Sequence, residues 1–184
     1  MKRLSILVFI LVALAQLSVP AMMAWGRQQT FKHGRVWKFK TAPVDPEDVI
    51  RGRYVALSFA SEEFPQEKRY EGGNPVYVVL KEDAEGFAAV DRLSSEPVRG
   101  DNVVRAEPGS WWDGKQHVLF PFRKYWVTEK IAPQAETAYR DNSTRKNQNA
   151  HVTVRVRDGD AALDQLYINN QPLVEYLRSL KTNE

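Results

Sequence analysis

From Leu4 to Trp25 the chain runs 22 residues without a charge, and only Ser5, Gln16, Ser18 and Pro20 are not apolar. A run of this kind leaves few structural choices. In a hydrocarbon environment every backbone N–H and C=O must be satisfied within the segment, which selects a helix. About 20 residues suffice to cross the core of a bilayer. Met1-Lys2-Arg3 in front supplies the positive end of an export signal, and Ala13-Leu14-Ala15 offers a small-x-small cleavage site. Two outcomes follow, a retained signal-anchor helix over residues 1–25 or a cleaved leader. The anchor is preferred, because the apolar run continues past Ala15 to Trp25, where an interfacial indole would sit. Arg27, Lys32, Arg35, Lys38 and Lys40 outnumber Lys2 and Arg3. A long following domain is nevertheless translocated largely regardless of such charges. The expectation is a single-pass protein of the cytoplasmic membrane, with residues 26–184 on the periplasmic side.

The 26 Lys and Arg face 23 Asp and Glu, and two of those bases lie in the leader. The remainder is close to neutral, which argues against a nucleic-acid binder, whose basic footprint would survive loss of the leader. With no cysteine in the chain, disulfides, thiolate metal sites and thiol catalysis are excluded.

Beyond residue 30, short strand-forming runs alternate with Gly, Pro, Asn and Asp clusters. Strands are expected over 35–41, 53–60, 76–80, 87–93, 103–104, 117–122, 125–128, 151–157 and 163–168. In 53–60, Val55, Leu57 and Phe59 share one face and Tyr54, Ala56 and Ser58 the other. In 151–157, Val152, Val154 and Val156 alternate with Thr153, Arg155 and Arg157. Asp158-Gly159-Asp160 and Asn169-Asn170 are turn signals. Helices are expected over 133–141 and 172–180, the latter with Leu173, Leu177 and Leu180 on one stripe, and 141–149 reads as a polar loop. The fold class is mainly β: one antiparallel domain, barrel- or sandwich-like, with one or two short helices behind the N-terminal helix.

The segment 41–59 contains Pro43-Val44-Asp45-Pro46, then Arg51-Gly52-Arg53-Tyr54, then a strand through Leu57 and Phe59. It resembles the signature of a bacterial family named for its GDYXXLXY motif. Residues 76–80, 122–136 and 166–169 are similar to further parts of that family, so the resemblance spans most of 36–170. It implies an N-terminally anchored envelope protein, often associated with multi-spanning membrane proteins, and brings no established chemistry. Arg53 stands where the family has aspartate, and Phe59 where it ends in tyrosine. An arginine is protonated at every relevant pH and cannot replace an aspartate as acid or base.

Physically, Pro43 and Pro46 hold an extended corner, Asp45 can accept backbone N–H groups just downstream, and Gly52 frees the entry into the strand. That corner either serves the fold alone or presents Asp45, Arg51 and Tyr54 as a contact surface. Trp111 and Trp112, next to Asp113-Gly114, either pack inward or stack on sugar rings or peptide side chains. With Tyr125 they complete the candidate binding set of Asp45, Pro46, Arg51, Gly52, Arg53, Tyr54, Leu57, Trp111, Trp112 and Tyr125.

No histidine pair has metal-ligand spacing, and no phosphate loop or nucleophile elbow is present, so neither metal nor cofactor is expected. The leading expectation is a non-enzymatic accessory module docking on a multi-spanning membrane protein or other envelope component. The alternative is an envelope hydrolase acting on glycan or peptide, with Glu129 and Glu136 as its acid/base pair.

Overall fold

The computed structural model describes residues 2–42, 54–66, 69–70, 72–144 and 147–182. The apolar run is a helix, α1 (Lys2–His33), long and apolar enough to cross a membrane. It does not stop at Trp25. Eight further residues continue it to Gly34, whose N–H closes the last turn on the Thr30 carbonyl at 2.9 Å. This end of the helix is seated on the domain. Thr30 is buried, and the Arg155 guanidinium lies over the Phe31 ring at 5.6 Å. Met22, Met23, Gly26 and Arg27 face Asp160, Ala161 and Ala162 across a shallow cleft. A Cβ on Gly34 would fall 2.5 Å from the Thr30 oxygen and 3.1 Å from the Val156 backbone. Only glycine lets helix and strand approach so closely.

The rest is a nearly closed, barrel-like antiparallel β-structure. Its strands are β1 (Arg35–Ala42), β2 (Tyr54–Ala56), β3 (Ser58–Phe59), β4 (Glu63–Pro65), β5 (Val76–Glu82), β6 (Ala88–Ser94), β7 (Val103–Trp112), β8 (Lys115–Leu119), β9 (Lys124–Trp126), β10 (Ala150–Arg157), β11 (Asp160–Ile168) and β12 (Gln171–Pro172). One sheet has the order β12-β11-β10-β1-β3, the other β4-β8-β7-β5-β6, and β2 pairs with β9.

Two seams join the sheets. On one side β3 leaves the first sheet and passes through a 3-10 turn (Ala60–Glu62) into β4 of the second. On the other the β10–β11 turn bridges to β7. There the Arg105 N–H donates to Gly159 O at 2.8 Å, the Gly159 N–H to Val103 O at 3.1 Å, and the Trp37 Nε1–H to Asp101 O at 2.8 Å.

Three two-residue turns pin the registers, because both residues adopt the left-handed conformation that suits the twist of a hairpin. They are Asp113-Gly114 (φ 51° and 70°), Asp158-Gly159 (51° and 93°) and Asn169-Asn170 (51° and 61°). Val152, Val154 and Val156 are fully buried and meet Val78, Val104 and Val118 of the other sheet in one core. Phe39, Phe59, Phe120 and Phe122 form an aromatic knot at its centre, with ring centroids 4.9–6.1 Å apart. Helices α2 (Ala132–Asn142) and α3 (Leu173–Thr182) close the side of β2 and β11.

Several expectations need correction. The short strand expected at 103–104 is ten residues long, since a bulge between Pro108 and Trp111 carries the ladder past a proline and a glycine. The strand expected over 53–60 is broken into β2 and β3, because Ser58 and Phe59 turn away to pair with β1. Of the α3 stripe, Leu173 and Leu177 are buried while Leu180 is exposed. Within the segment read as a polar loop, Asn142 and Ser143 are buried, and the Asn142 Nδ2–H donates to Ala138 O at 2.9 Å.

Candidate functional site

Residues 54–65 run antiparallel to 115–126 as a two-stranded ribbon. At one end Tyr54 pairs with Trp126 and Ala56 with Lys124. At the other Glu63 pairs with His117 and Pro65 with Lys115. The register on both sides of the middle is the same, yet between them the ladder opens. Leu57 still donates its N–H to Arg123 O at 2.9 Å before the arms part. The opening exists because β3 is drawn off to β1 and the phenylalanines of 120–122 turn into the core.

Glu62 sits at the end of this opening. It is only 3% exposed, although it belongs to a residue type rarely buried without partners. Its Oε2 accepts the Phe59 N–H at 3.3 Å, across the turn that the two residues form. Its Oε1 lies 3.2 Å from Arg123 Nε, and Oε2 lies 3.9 Å from His117 Nε2. The approach of Arg123 is close but misaligned, so Glu62 Oε1 and Arg123 Nε are both buried without a hydrogen-bond partner among the described residues.

Burial pushes the Glu62 carboxyl up to about 7, against the opposing pull of Arg123 and the Phe59 N–H. His117 moves the other way. Burial and then the Arg123 charge lower it, while Glu63 raises it. The ring fits here because Gly109 has no side chain: a Cβ there would fall 2.8 Å from His117 Nδ1. The result is a carboxyl that exchanges its proton near neutral pH beside an imidazole and a guanidinium.

Asp45, Pro46, Arg51, Gly52 and Arg53 lie outside the described residues. Leu57 is a core residue at 2% exposure. Tyr54 is half-buried, its ring 5.2 Å from Trp126 edge-to-face and 4.9 Å from the Lys124 ammonium. Tyr125 points to the opposite side of β9, where burial raises its hydroxyl pKa against the Leu166 backbone and the Gln165 side chain.

Trp111 and Trp112 end β7 at the Asp113-Gly114 turn, and neither packs into the core. The Trp111 indole N–H is fastened to Gln66 O at 3.2 Å, and Trp112 beside it is 82% exposed. The Tyr54/Tyr125 end and the Trp111/Trp112 end therefore lie at opposite ends of the ribbon. At roughly 3.3 Å per residue, the 11 steps from Lys115 to Trp126 put them at most about 36 Å apart. Glu129 is exposed in the turn after β9, and Glu136 is half-buried on α2.

Sequence reasoning missed Glu62, Arg123 and His117, together with Trp126, which is 67% exposed. Nothing in the local pattern marks Glu62 as internal. The one usable signal was its position three residues after the last inward phenylalanine of the 53–60 alternation, where a carboxylate can cap its own turn.

The sequence profile of the GDYXXLXY protein family matches residues 16–166, from the second half of α1 through most of β11. The chain belongs to that family. No curated protein and no solved structure matches it.

Proposed function

We propose, on the premise of GDYXXLXY family membership, that this chain is a membrane-tethered, non-enzymatic binding module of the bacterial envelope. In this proposal α1 is a retained signal anchor, the β-domain lies on the periplasmic side, and the module docks on a multi-spanning membrane protein. The observation that carries the reading is the Trp111-Trp112 tip. The tip leaves Trp112 exposed at 82% beside Trp111 at 38%, and aromatic side chains are enriched at protein interfaces relative to the rest of the surface. The tip is presented by a two-residue turn and braced by the Trp111–Gln66 hydrogen bond, so little conformational entropy is lost when a partner covers it. Tryptophan is also the residue type most enriched among binding hot spots. The seating of α1 on β10 and β11 supports the tethering half of the proposal, since it would hold the domain in one orientation over the bilayer.

The test places a photoreactive amino acid at position 112 of the full chain in native membranes. The expected product is a specific adduct with a protein of several membrane spans, absent when the probe is at position 174 on α3. Protease accessibility in spheroplasts reads the side on which the domain lies. Finding no adduct from position 112, or a domain shielded by the inner membrane, overturns the proposal.

A further inference from the structure

Arg123 has a second neighbourhood besides Glu62. It lines an open cleft of about 730 Å³ between residues 72–75 and the β7–β8 ladder, within the size range of small-molecule sites. One wall is apolar, formed by Pro75, Pro108, Phe120 and Pro121. The polar side chains lining it are those of Asn74, Arg105, Glu107 and Arg123, of which the last three carry charge. Arg105 and Glu107 are two residues apart on β7 and share its outer face. Arg105 has no ion-pair partner among the described residues. Arg123 is only loosely engaged: its Nε–H is not aligned with the carboxylate 3.2 Å away, and both atoms lack a hydrogen bond. Only the Nε of Arg123 is buried, an atom type nearly always paired in folded proteins, while the side chain as a whole is 40% exposed and reaches the cleft, where a ligand can engage it.

We propose that this cleft binds the carboxylate of a small ligand between Arg105 and Arg123, with Arg123 shared between that carboxylate and Glu62. The charges select the ligand class. With Glu62 protonated, two guanidinium groups against Glu107 leave the cleft with one net positive charge, which matches a monoanion. A second negative charge would meet Glu107. A planar carboxylate also fits the guanidinium fork with two parallel hydrogen bonds. Glu107 suits a neighbouring donor such as an amide N–H, and the proline and phenylalanine wall suits a short aliphatic group. A peptide-like carboxylate meets all three requirements. The cleft is distinct from the Trp111-Trp112 tip, and its ligand does not depend on the docking proposed above.

The test uses the full chain in detergent micelles, with the Arg Nε–Hε resonances followed by NMR. N-acetylalanine supplies the carboxylate with a neutral amide, N-acetylalanine amide removes the charge, and inorganic phosphate supplies the alternative anion. N-acetylalanine is expected to shift the Arg105 and Arg123 signals saturably, with a Kd on the order of 1 mM for a ligand of so few atoms. The amide should give no shift, and phosphate should bind more weakly. Arg105→Gln, an exposed substitution that leaves the core untouched, and Arg123→Gln should each weaken binding about tenfold or more. Glu62→Gln should keep binding and tighten it, because it removes the internal competitor for Arg123. Three results would overturn the proposal: no saturable shift, equal shifts from the uncharged amide, or phosphate binding as tightly as the carboxylate. Unchanged affinity in a folded Arg105→Gln variant would do the same.

Discussion

Replacing Glu62 by glutamine removes a buried ionisation while keeping the shape of the side chain and an acceptor for the Phe59 N–H. The carboxyl rises from the ordinary 4.5 to about 7 on folding, because burial outweighs Arg123. Between those values the folded protein binds more protons than the unfolded chain, so stability falls as pH rises through this window. Above pH 7 the folded state carries the whole cost of a buried carboxylate. Each tenfold change in proton affinity is worth roughly 1.4 kcal/mol, so the rise to about 7 corresponds to about 3 kcal/mol.

His117 contributes with the opposite sign. Its pKa is lowered on folding, so it adds stability as pH rises toward its ordinary 6.5. The wild-type curve sums both effects, and the difference between wild type and Glu62→Gln reports the carboxyl together with its coupling to His117 and Arg123. Urea unfolding of the full chain in detergent, followed by tryptophan fluorescence from pH 4.5 to 8, measures that difference. The two proteins should be equally stable near pH 4.5. By pH 8 the variant should be the more stable by about 3 kcal/mol, or roughly 6–12 °C in Tm for a domain of this size. A difference curve that is flat across pH, or one showing the variant less stable at pH 8, would refute the argument from burial.

Phe39→Ala removes the centre of the aromatic knot from a site with no solvent exposure and should cost about 3–5 kcal/mol in the same assay. Gly34→Ala forces a methyl group against the Thr30 carbonyl and the Val156 backbone. It should cost about 1–3 kcal/mol and open the 26–34 segment to proteolysis, whereas unchanged cleavage would show that α1 is not seated there. Trp112→Ala, at an 82% exposed position, should leave stability within about 0.5 kcal/mol while abolishing partner capture by a photoprobe moved to the exposed Lys115 position across the turn. A large stability loss would mean that the ring is structural.

Much of the fold was legible because its signals are local. The alternation of Val152, Val154 and Val156 is a property of a pleated strand, and it survives folding unchanged. Asp158-Gly159 and Asn169-Asn170 announce their turns because few other residues tolerate the left-handed conformation found there. Strand β7 was under-read for the same reason. Pro108 and Gly109 are locally poor strand residues, and only the bulge against β8 and the fit of His117 over Gly109 keep them in the ladder. The site was not legible. Glu62 and Arg123 lie far apart in the chain, and they meet only because β3 is drawn away to β1 and opens the ribbon between them.

The sequence by itself determined an apolar N-terminal helix of membrane-spanning length, an antiparallel β-domain held without disulfides, and membership in the GDYXXLXY family. These rest on local periodicity, turn chemistry and motif spacing, which need no knowledge of what lies far along the chain. Tertiary structure alone decided that α1 continues past Trp25 to a seat on β10 and β11. It alone left Trp111 and Trp112 outside the core and placed a buried acid beside Arg123. Each of these depends on which distant surfaces meet, and burial, the quantity that moves the Glu62 proton and exposes the Trp112 ring, arises only when they do.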